Sequence, residues 1–421
     1  MNTNTGSNTN RTARLISGVV MLLCIGLLYG WSIFRDPLTA VFPEWTPTRI
    51  SMTFTLSMIF YCVGGFVSGK LTASVAHRTI LRLAIVLILA GFVLISVLLD
   101  PHDETTSLYI LYVFYGVFCG FGAGLAYNAI VGSVMRWYPD MAGMASGMLM
   151  FGFGVGGMAL GSVVNAFAKT IGIINTFTVI GAIMAVILFV LSIPTRIPSS
   201  DELTKIAASA KEAVKSQAAT PRPAREFSLT EMLKTSAFWV FFFWGITAAT
   251  CGLLIFNSAA NIATYFGAPA LLGLITSVFY SIGCLWFGYS FDRLGRSNAM
   301  LMNVAILIIG GVCLTLGAVT GHAAFIFAGL SLVGFSFGGN PSMMSATTLR
   351  FFGPKHFAVN YATMTFSLLP AAIVGPLVSS RLQEISGGSY LPSFIMVVII
   401  AAANLLTVIL LNRISKKYEF E

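Results

Sequence analysis

Apolar residues in this chain gather into long blocks, near 15–35, 50–69, 79–99, 108–132, 142–166, 172–193, 237–262, 269–291, 298–319, 322–347, 359–380 and 390–412. Short charged or Pro/Gly-rich breaks separate them. Each block is long enough to cross ~30 Å of hydrocarbon as a helix. The pattern predicts an all-α integral membrane protein with twelve transmembrane helices.

The one long polar stretch falls between the sixth and seventh blocks. Residues 194–235 interleave Lys205, Lys211, Lys215, Arg222, Arg225 and Lys234 with Glu202, Glu212, Glu226 and Glu231, and they begin and end in proline-containing sequence. This reads as a cytoplasmic linker between an N-terminal six-helix bundle, 15–193, and a C-terminal one, 236–412, with a short surface helix expected around 201–217. The polar start MNTNTGSNTNRTAR carries no cleavable signal pattern. It reads as a cytoplasmic tail over 1–14, matched by a second tail over 413–421. Placing both tails in the cytoplasm puts 20 of the 24 Lys and Arg residues on that side and leaves Arg35, Arg49, Lys169 and Arg381 outside. That asymmetry sets orientation.

The two halves resemble each other. "GFGAGLAYNAIVGSVMR" (120–136) and "GFSFGGNPSMMSATTLR" (334–350) share their opening Gly-Phe, a glycine at the fifth position and a terminal Arg. Their offset is 214 residues. "LLYGWSIFR" can be laid on "LLIFNSAAN" at an offset of 226, which superposes Trp31 on Asn257 and Arg35 on Asn261. With six spans in each half, this supports an internal duplication, the architecture in which a midplane site is exposed alternately to each side.

Composition closes off other classes. The chain is 57% hydrophobic and 9% charged, against roughly 25% charged residues in globular proteins. The net charge of +9 would suggest a nucleic-acid partner in a soluble protein, but its distribution among the loops makes it an orientation signal. All six cysteines lie inside apolar blocks without C-x-x-C spacing, so neither a disulfide framework nor a zinc site is indicated. No feature suggests a nucleotide, metal or haem cofactor. "GFGVGG" lies in a membrane helix and follows no strand, so a dinucleotide reading fails on context.

"GYSFDRLGRS" (288–297) ends the eighth span and resembles the G-x-x-x-D-R-x-G-R signature of the major facilitator superfamily. Gly288 would allow close helix approach, Asp292 would cap a neighbouring helix or pair with Arg, and Arg293 and Arg296 would mark the cytoplasmic boundary. These residues, with Arg136 at the end of the fourth span, are the expected gate. In the first half "GFVSGKLTASVAHR" occupies the matching place, with Gly69 expected where the acid belongs.

A closer resemblance covers nearly the whole chain. "YGWSIFRDPL", "GAGLAYN", "RWYPDMAGMASGMLMFGFGVGG" and "TSAFWVFFFW", in that order, are similar to the oxalate/formate antiporter family, and distantly to monocarboxylate transporters. The resemblance implies the major facilitator fold and carriage of small carboxylates across a bacterial inner membrane. It also implies that Tyr29 and Tyr127 line the cavity and that Phe337 replaces a tryptophan. The oxalate carrier of that family holds its dianion with an Arg in helix eight and a Lys in helix eleven. The matching positions here are Cys284 and Leu368. A dianion left without countercharge would cost several kcal/mol, so a small monocarboxylate is the expected substrate.

Few polar groups remain as candidates: no Asp, Glu, Lys or His falls in the middle of a span. Arg35 leads, because its planar donor fork suits a carboxylate and Trp31, four residues earlier, shares its helical face. The alternative is an Arg that snorkels to headgroups or pairs with Asp36. Asn257, Asn261, Asn128, Asn340 and Ser336 would contact substrate or hydrogen-bond between helices. Arg381 and Glu384 read as a surface pair or an outer gate, and His322 as a solvated turn residue. The expected function is a carrier for a small organic anion, with a monomeric assembly expected in the lipid bilayer and no nucleic-acid partner. Efflux of a neutral or lipophilic solute, and a transport-inactive ligand sensor, stay open.

Overall fold

The computed structural model describes residues 5–27, 31–199, 202, 226–269, 272, 273 and 275–417, and every regular element among them is a helix. In chain order these are α1 (Thr5–Gly26), α2 (Trp31–Val41), α3 (Pro47–Leu71), α4 (His77–Leu98), α5 (Glu104–Leu111), which runs through a π-helical stretch (Tyr112–Cys119) into α6 (Gly120–Met135), α7 (Ala142–Ile171) and α8 (Ile173–Ser192). After the linker come α9 (Leu229–Leu233), α10 (Ser236–Tyr265), α11 (Ile275–Thr320), α12 (Ala323–Phe352), α13 (Phe357–Thr365), α14 (Leu368–Ile385) and α15 (Leu391–Lys417). The surface helix expected around 201–217 lies outside the described residues, apart from Glu202.

Among the described residues, ten helices are long and apolar enough to cross a membrane. One of them, the 46-residue α11, is two expected spans end to end, parted at Gly295 where φ is +81°. Only glycine adopts that conformation without strain, which gives the glycine of the signature a physical reason. α1 and α2 take the place of the first expected span. That span was expected near 15–35, but helix begins at Thr5, and most of its described residues fall in α1 or, beyond residue 30, in α2, which holds Arg35. Hydropathy marks what can sit in lipid, and polar residues extend α1 below it. The eleventh span is also divided. Pro370 lacks an N–H and crowds the carbonyl of Phe366, so Ser367 donates to Met364 (3.1 Å) and Leu369 to Phe366 (3.1 Å) in a tighter turn between α13 and α14.

The chain forms two compact units, one drawn from Met1–Trp137 and Gly152–Leu203, the other from Tyr138–Phe151 and Thr204–Glu421. In the first, α3 packs on α6. Gly120, Phe121 and Gly124 meet Ser57, Gly64 and Tyr61, and a methyl group on Gly124 would strike the Tyr61 carbonyl. In the second, Gly334, Phe335 and Gly338 of α12 meet Thr276, Gly283 and Tyr280 of α11, and a methyl group on Gly338 would strike the Tyr280 carbonyl. Residues of α12 lie 214 positions after their α6 counterparts, and residues of α11 lie 219 after their α3 counterparts. The same offsets relate Gly91 against Cys119 to Gly310 against Val333. The 226-residue offset gains a contact of its own, since Val19 faces Gly152 in the first unit and Gly245 faces Ser367 in the second.

This register corrects one expectation. At an offset of 219, Gly69 stands opposite Gly288, and the position equivalent to Asp292 is Ala73. The first half still lacks the acid, four residues further along than the sequence comparison placed it.

Candidate functional site

In the first unit, the expected site residues separate. Trp31 is 5% exposed, with its ring on Tyr115 (centroids 4.5 Å) and near Phe34 (6.3 Å). Phe34 in turn stacks on Phe177 (5.0 Å) and meets Phe92 edge-on (6.4 Å). Trp31 is therefore part of an aromatic core formed by α2, α4, the π-helical stretch and α8, while Arg35 is exposed. Spacing put the indole on the same helical face as the guanidinium, and its ring packs on aromatic neighbours. Tyr29 and the side chain of Asp36 lie outside the described residues.

Tyr127 is brought into a different group. Its ring lies 5.3 Å from Tyr61 of α3 and 5.3 Å from Phe153 of α7, and all three side chains are largely buried. Asn128 donates from Nδ2 to the Gly65 carbonyl at 2.7 Å, which ties α6 to α3. Tyr61 was missed from sequence. Its signal, a tyrosine opposite Gly124, depends on knowing how α3 and α6 register.

The second unit repeats the arrangement with other residues. Phe337 lies 5.3 Å from Tyr280 and 6.0 Å from Phe256. Ser342, the repeat partner of Asn128, donates to the Cys284 carbonyl at 3.1 Å. Cys284 is fully buried, so the position expected to hold a family cation faces neighbouring helices here, and Leu368 is half-buried at the start of α14. Ser336 and Asn303 are joined through Asn303 Nδ2 to the Ser336 carbonyl (2.7 Å) and Ser336 Oγ to Asn303 (3.2 Å). Asn340 is buried, and its Oδ1 has no hydrogen-bond partner among the described residues. Asn261 is exposed on α10, and the side chain of Asn257 lies outside the described residues.

Asp292 both caps and pairs. Its Oδ1 accepts from the Gly143 N–H (3.0 Å) and its Oδ2 from the Met144 N–H (2.7 Å), while Arg350 Nη2 approaches Oδ1 at 3.3 Å. Those N–H groups are first-turn donors of α7, which have no acceptor within their own helix, and a carboxylate there also favours the helix dipole. The Arg350 guanidinium covers Phe291 at 4.5 Å. Arg293 is exposed over Tyr289 (5.6 Å). Arg296, expected at the water boundary, is instead 3% exposed: it donates to Ser415 Oγ (3.0 Å) and covers Phe351 (5.0 Å).

In the first unit, Arg136 is half-buried at the end of α6. The next residue, Trp137, carries Arg14 (3.9 Å) and Arg196 (5.2 Å) over its ring and donates from Nε1 to the Arg196 carbonyl (2.9 Å). Arg196 also grips Glu202, and its hydrogen bonds, with those from Ser199, hold that carboxyl down to about 2. Arg381 pairs with Glu384 at 2.9 Å with both side chains exposed, and His322 is exposed. Among the described residues there is no group of three or more His, Cys, Asp or Glu that could hold a metal ion.

Comparison with known proteins fits this geometry. The family model described as Major Facilitator Superfamily matches residues 8–376. An oxalate:formate antiporter of Oxalobacter formigenes is 25% identical over 383 residues, covering 89% of this chain and 86% of that protein. An uncharacterized MFS-type transporter, YhjX, of Escherichia coli (strain K12) is 23% identical over 369 residues, covering 86% of each chain. Among solved structures, the proton:xylose symporter XylE superposes with a TM-score of 0.71 over 97% of this chain and 96% of that one, at 14% identity. That likeness bears on the fold alone.

Proposed function

Because the chain belongs to the Major Facilitator Superfamily, and is thus a multi-pass membrane transporter for a small molecule and not an enzyme, we propose that it carries a small monocarboxylate of the formate, lactate or pyruvate kind by alternating access. The observation that carries this reading is the charge at three positions. Arg35 is exposed on α2, while Cys284 is buried and Leu368 is apolar. One guanidinium suits one carboxylate, and a dianion would lack its second countercharge. The similarity to an oxalate:formate antiporter supports a carboxylate as the class.

In this reading Arg35 meets the substrate anion, and the ring group of Tyr127, Tyr61 and Phe153 supplies an apolar wall. The bonds from Asp292 to Arg350 and to the first turn of α7 form the cytoplasmic gate. The protein works as a monomer in the inner membrane with both termini in the cytoplasm, and residues 194–235 link its two six-helix bundles.

Counterflow of labelled acids in proteoliposomes tests the reading. Formate, lactate or pyruvate should exchange, and Arg35→Ala should slow that exchange about tenfold, the loss of one charge-assisted hydrogen bond. Brisk oxalate exchange, or indifference to every carboxylate, would overturn it. Transport of a neutral solute that persists in Arg35→Ala and ignores carboxylates would establish the second reading, which the uncharged aromatic groups favour.

A further inference from the structure

The end of the linker is strapped onto the cytoplasmic end of α12 by a residue that neither the signature nor the resemblance singles out. Phe227 uses both its backbone groups there. Its N–H donates to the Phe352 carbonyl (3.0 Å), and its carbonyl accepts from Asn360 Nδ2 of α13 (2.9 Å). The two phenylalanine rings meet edge-on at 5.8 Å, and Glu226 Oε2 accepts from the Lys355 N–H (3.0 Å). Immediately afterwards Ser228 and Glu231 form a capping box that starts α9, so the strap runs into a defined helix.

The attachment point is significant. Phe352 is the last residue of α12, and its carbonyl is one of the C-terminal acceptors without an intrahelical donor. Arg350, two residues earlier, pairs with Asp292. Phe351 lies under Arg296 and 6.2 Å from Phe241. The strap, the end of α12 and the carboxylate that caps α7 thus form one chain of contacts within the second unit.

Asn360 is fully buried, and while its Nδ2 serves the strap, its Oδ1 has no partner among the described residues. A buried acceptor left unmatched is destabilising, and a leucine of similar size would avoid that penalty. The amide is therefore explained by the bond it donates. We infer that Asn360 is a positioning residue for transport: by holding Phe227 on the end of α12 it sets Arg350 against Asp292, and strap release accompanies opening of the cytoplasmic end. The inference rests on reading Asp292 and Arg350 as the gate.

Amide hydrogen exchange on the full-length protein in nanodiscs tests it without knowledge of the substrate. Asn360→Leu should speed exchange at 226–229 and 352–353 and, through Arg350 and Asp292, at Gly143 and Met144. At those last two amides the change should be about fivefold or more, the lower end of ordinary coupling between sites. Asn360→Gln, which keeps a donor, should restore slow exchange. An increase confined to 226–229 and 352–360, or none at all, would overturn the inference. If Asn360→Leu fails to fold, Phe227→Leu keeps both backbone bonds, loosens the ring contact and yields the same two outcomes. Asp292→Ala separates the premises. If it leaves exchange at Gly143 and Met144 unchanged, the gate reading fails; if it changes that exchange while the strap variants do not, only the strap fails.

Discussion

The α3·α6 pair of the first unit and the α11·α12 pair of the second share one register and differ in chemistry. Where the backbones touch, glycine is kept: Gly124 against Tyr61 corresponds to Gly338 against Tyr280. Where side chains bridge, the groups are exchanged. Asn128 bonding to Gly65 becomes Ser342 bonding to Cys284, and Gly122 against Ala84 becomes Ser336 bonding to Asn303. At the 219-residue offset Ala73 is equivalent to Asp292, and His77 to Arg296. Duplication fixes how closely the helices approach, because a clash with backbone cannot relax, whereas one interhelical hydrogen bond is small enough to be replaced.

The largest effect should come from breaking the shared part. Gly124→Val and Gly338→Val each drive a side chain into a carbonyl of the facing helix, and each should cost about 3 kcal/mol or prevent folding, as overpacking of a close contact does. Thermal melting in detergent measures it. If one variant were tolerated and the other not, the two pairs would not be equivalent in packing.

A smaller effect tests the exchanged part. Asn128→Leu and Ser342→Ala each remove one buried interhelical hydrogen bond, worth about 0.6 kcal/mol on average in a membrane. Similar small shifts in melting, with counterflow intact, would assign both residues to helix packing. A fall in counterflow at unchanged melting in Asn128→Leu would return Asn128 to the substrate site.

Much of this fold was legible in the sequence. Twelve apolar blocks, the Gly-Phe repeat at 214 and the Asp-Arg signature carry their own physical reasons, and the structure places Asp292 against both an Arg and a helix start. The offset of 219 was not legible, because α3 and α11 share little sequence and are aligned only through their partners α6 and α12. For the same reason Tyr61 and Tyr280 were passed over, and the missing acid was placed at Gly69 in place of Ala73. Arg35 and Trp31 were joined by helical spacing, which says which face a residue is on but not which neighbour claims its ring. Asn360 gave no sequence signal: the bond it donates goes to a linker residue 133 positions away.

The smallest predicted effect distinguishes the α6 end of the first unit from the α12 end of the second. The aromatic residue after the terminal arginine is Trp137 in one and Phe351 in the other, and each lies under an arginine. Arg196 is held by a carboxylate, whose hold acid can loosen, and Arg296 donates to the Ser415 hydroxyl, which does not titrate in this range. The Glu202 carboxyl is lowered from 4.5 to about 2 by the hydrogen bonds of Arg196. A lowered value means that its stabilisation is fully present above about 4.5 and is lost as pH falls through about 2. The pair is partly exposed to solvent, so the effect is small. The melting difference between wild type and Glu202→Gln should therefore persist from pH 7 down to pH ~4 and vanish near pH ~2, while Ser415→Ala should give a difference that does not follow this titration. A Glu202→Gln difference that has already faded by pH ~4 would mean that the carboxylate titrates like an unpaired surface glutamate, and the contrast between the two ends would reduce to packing alone.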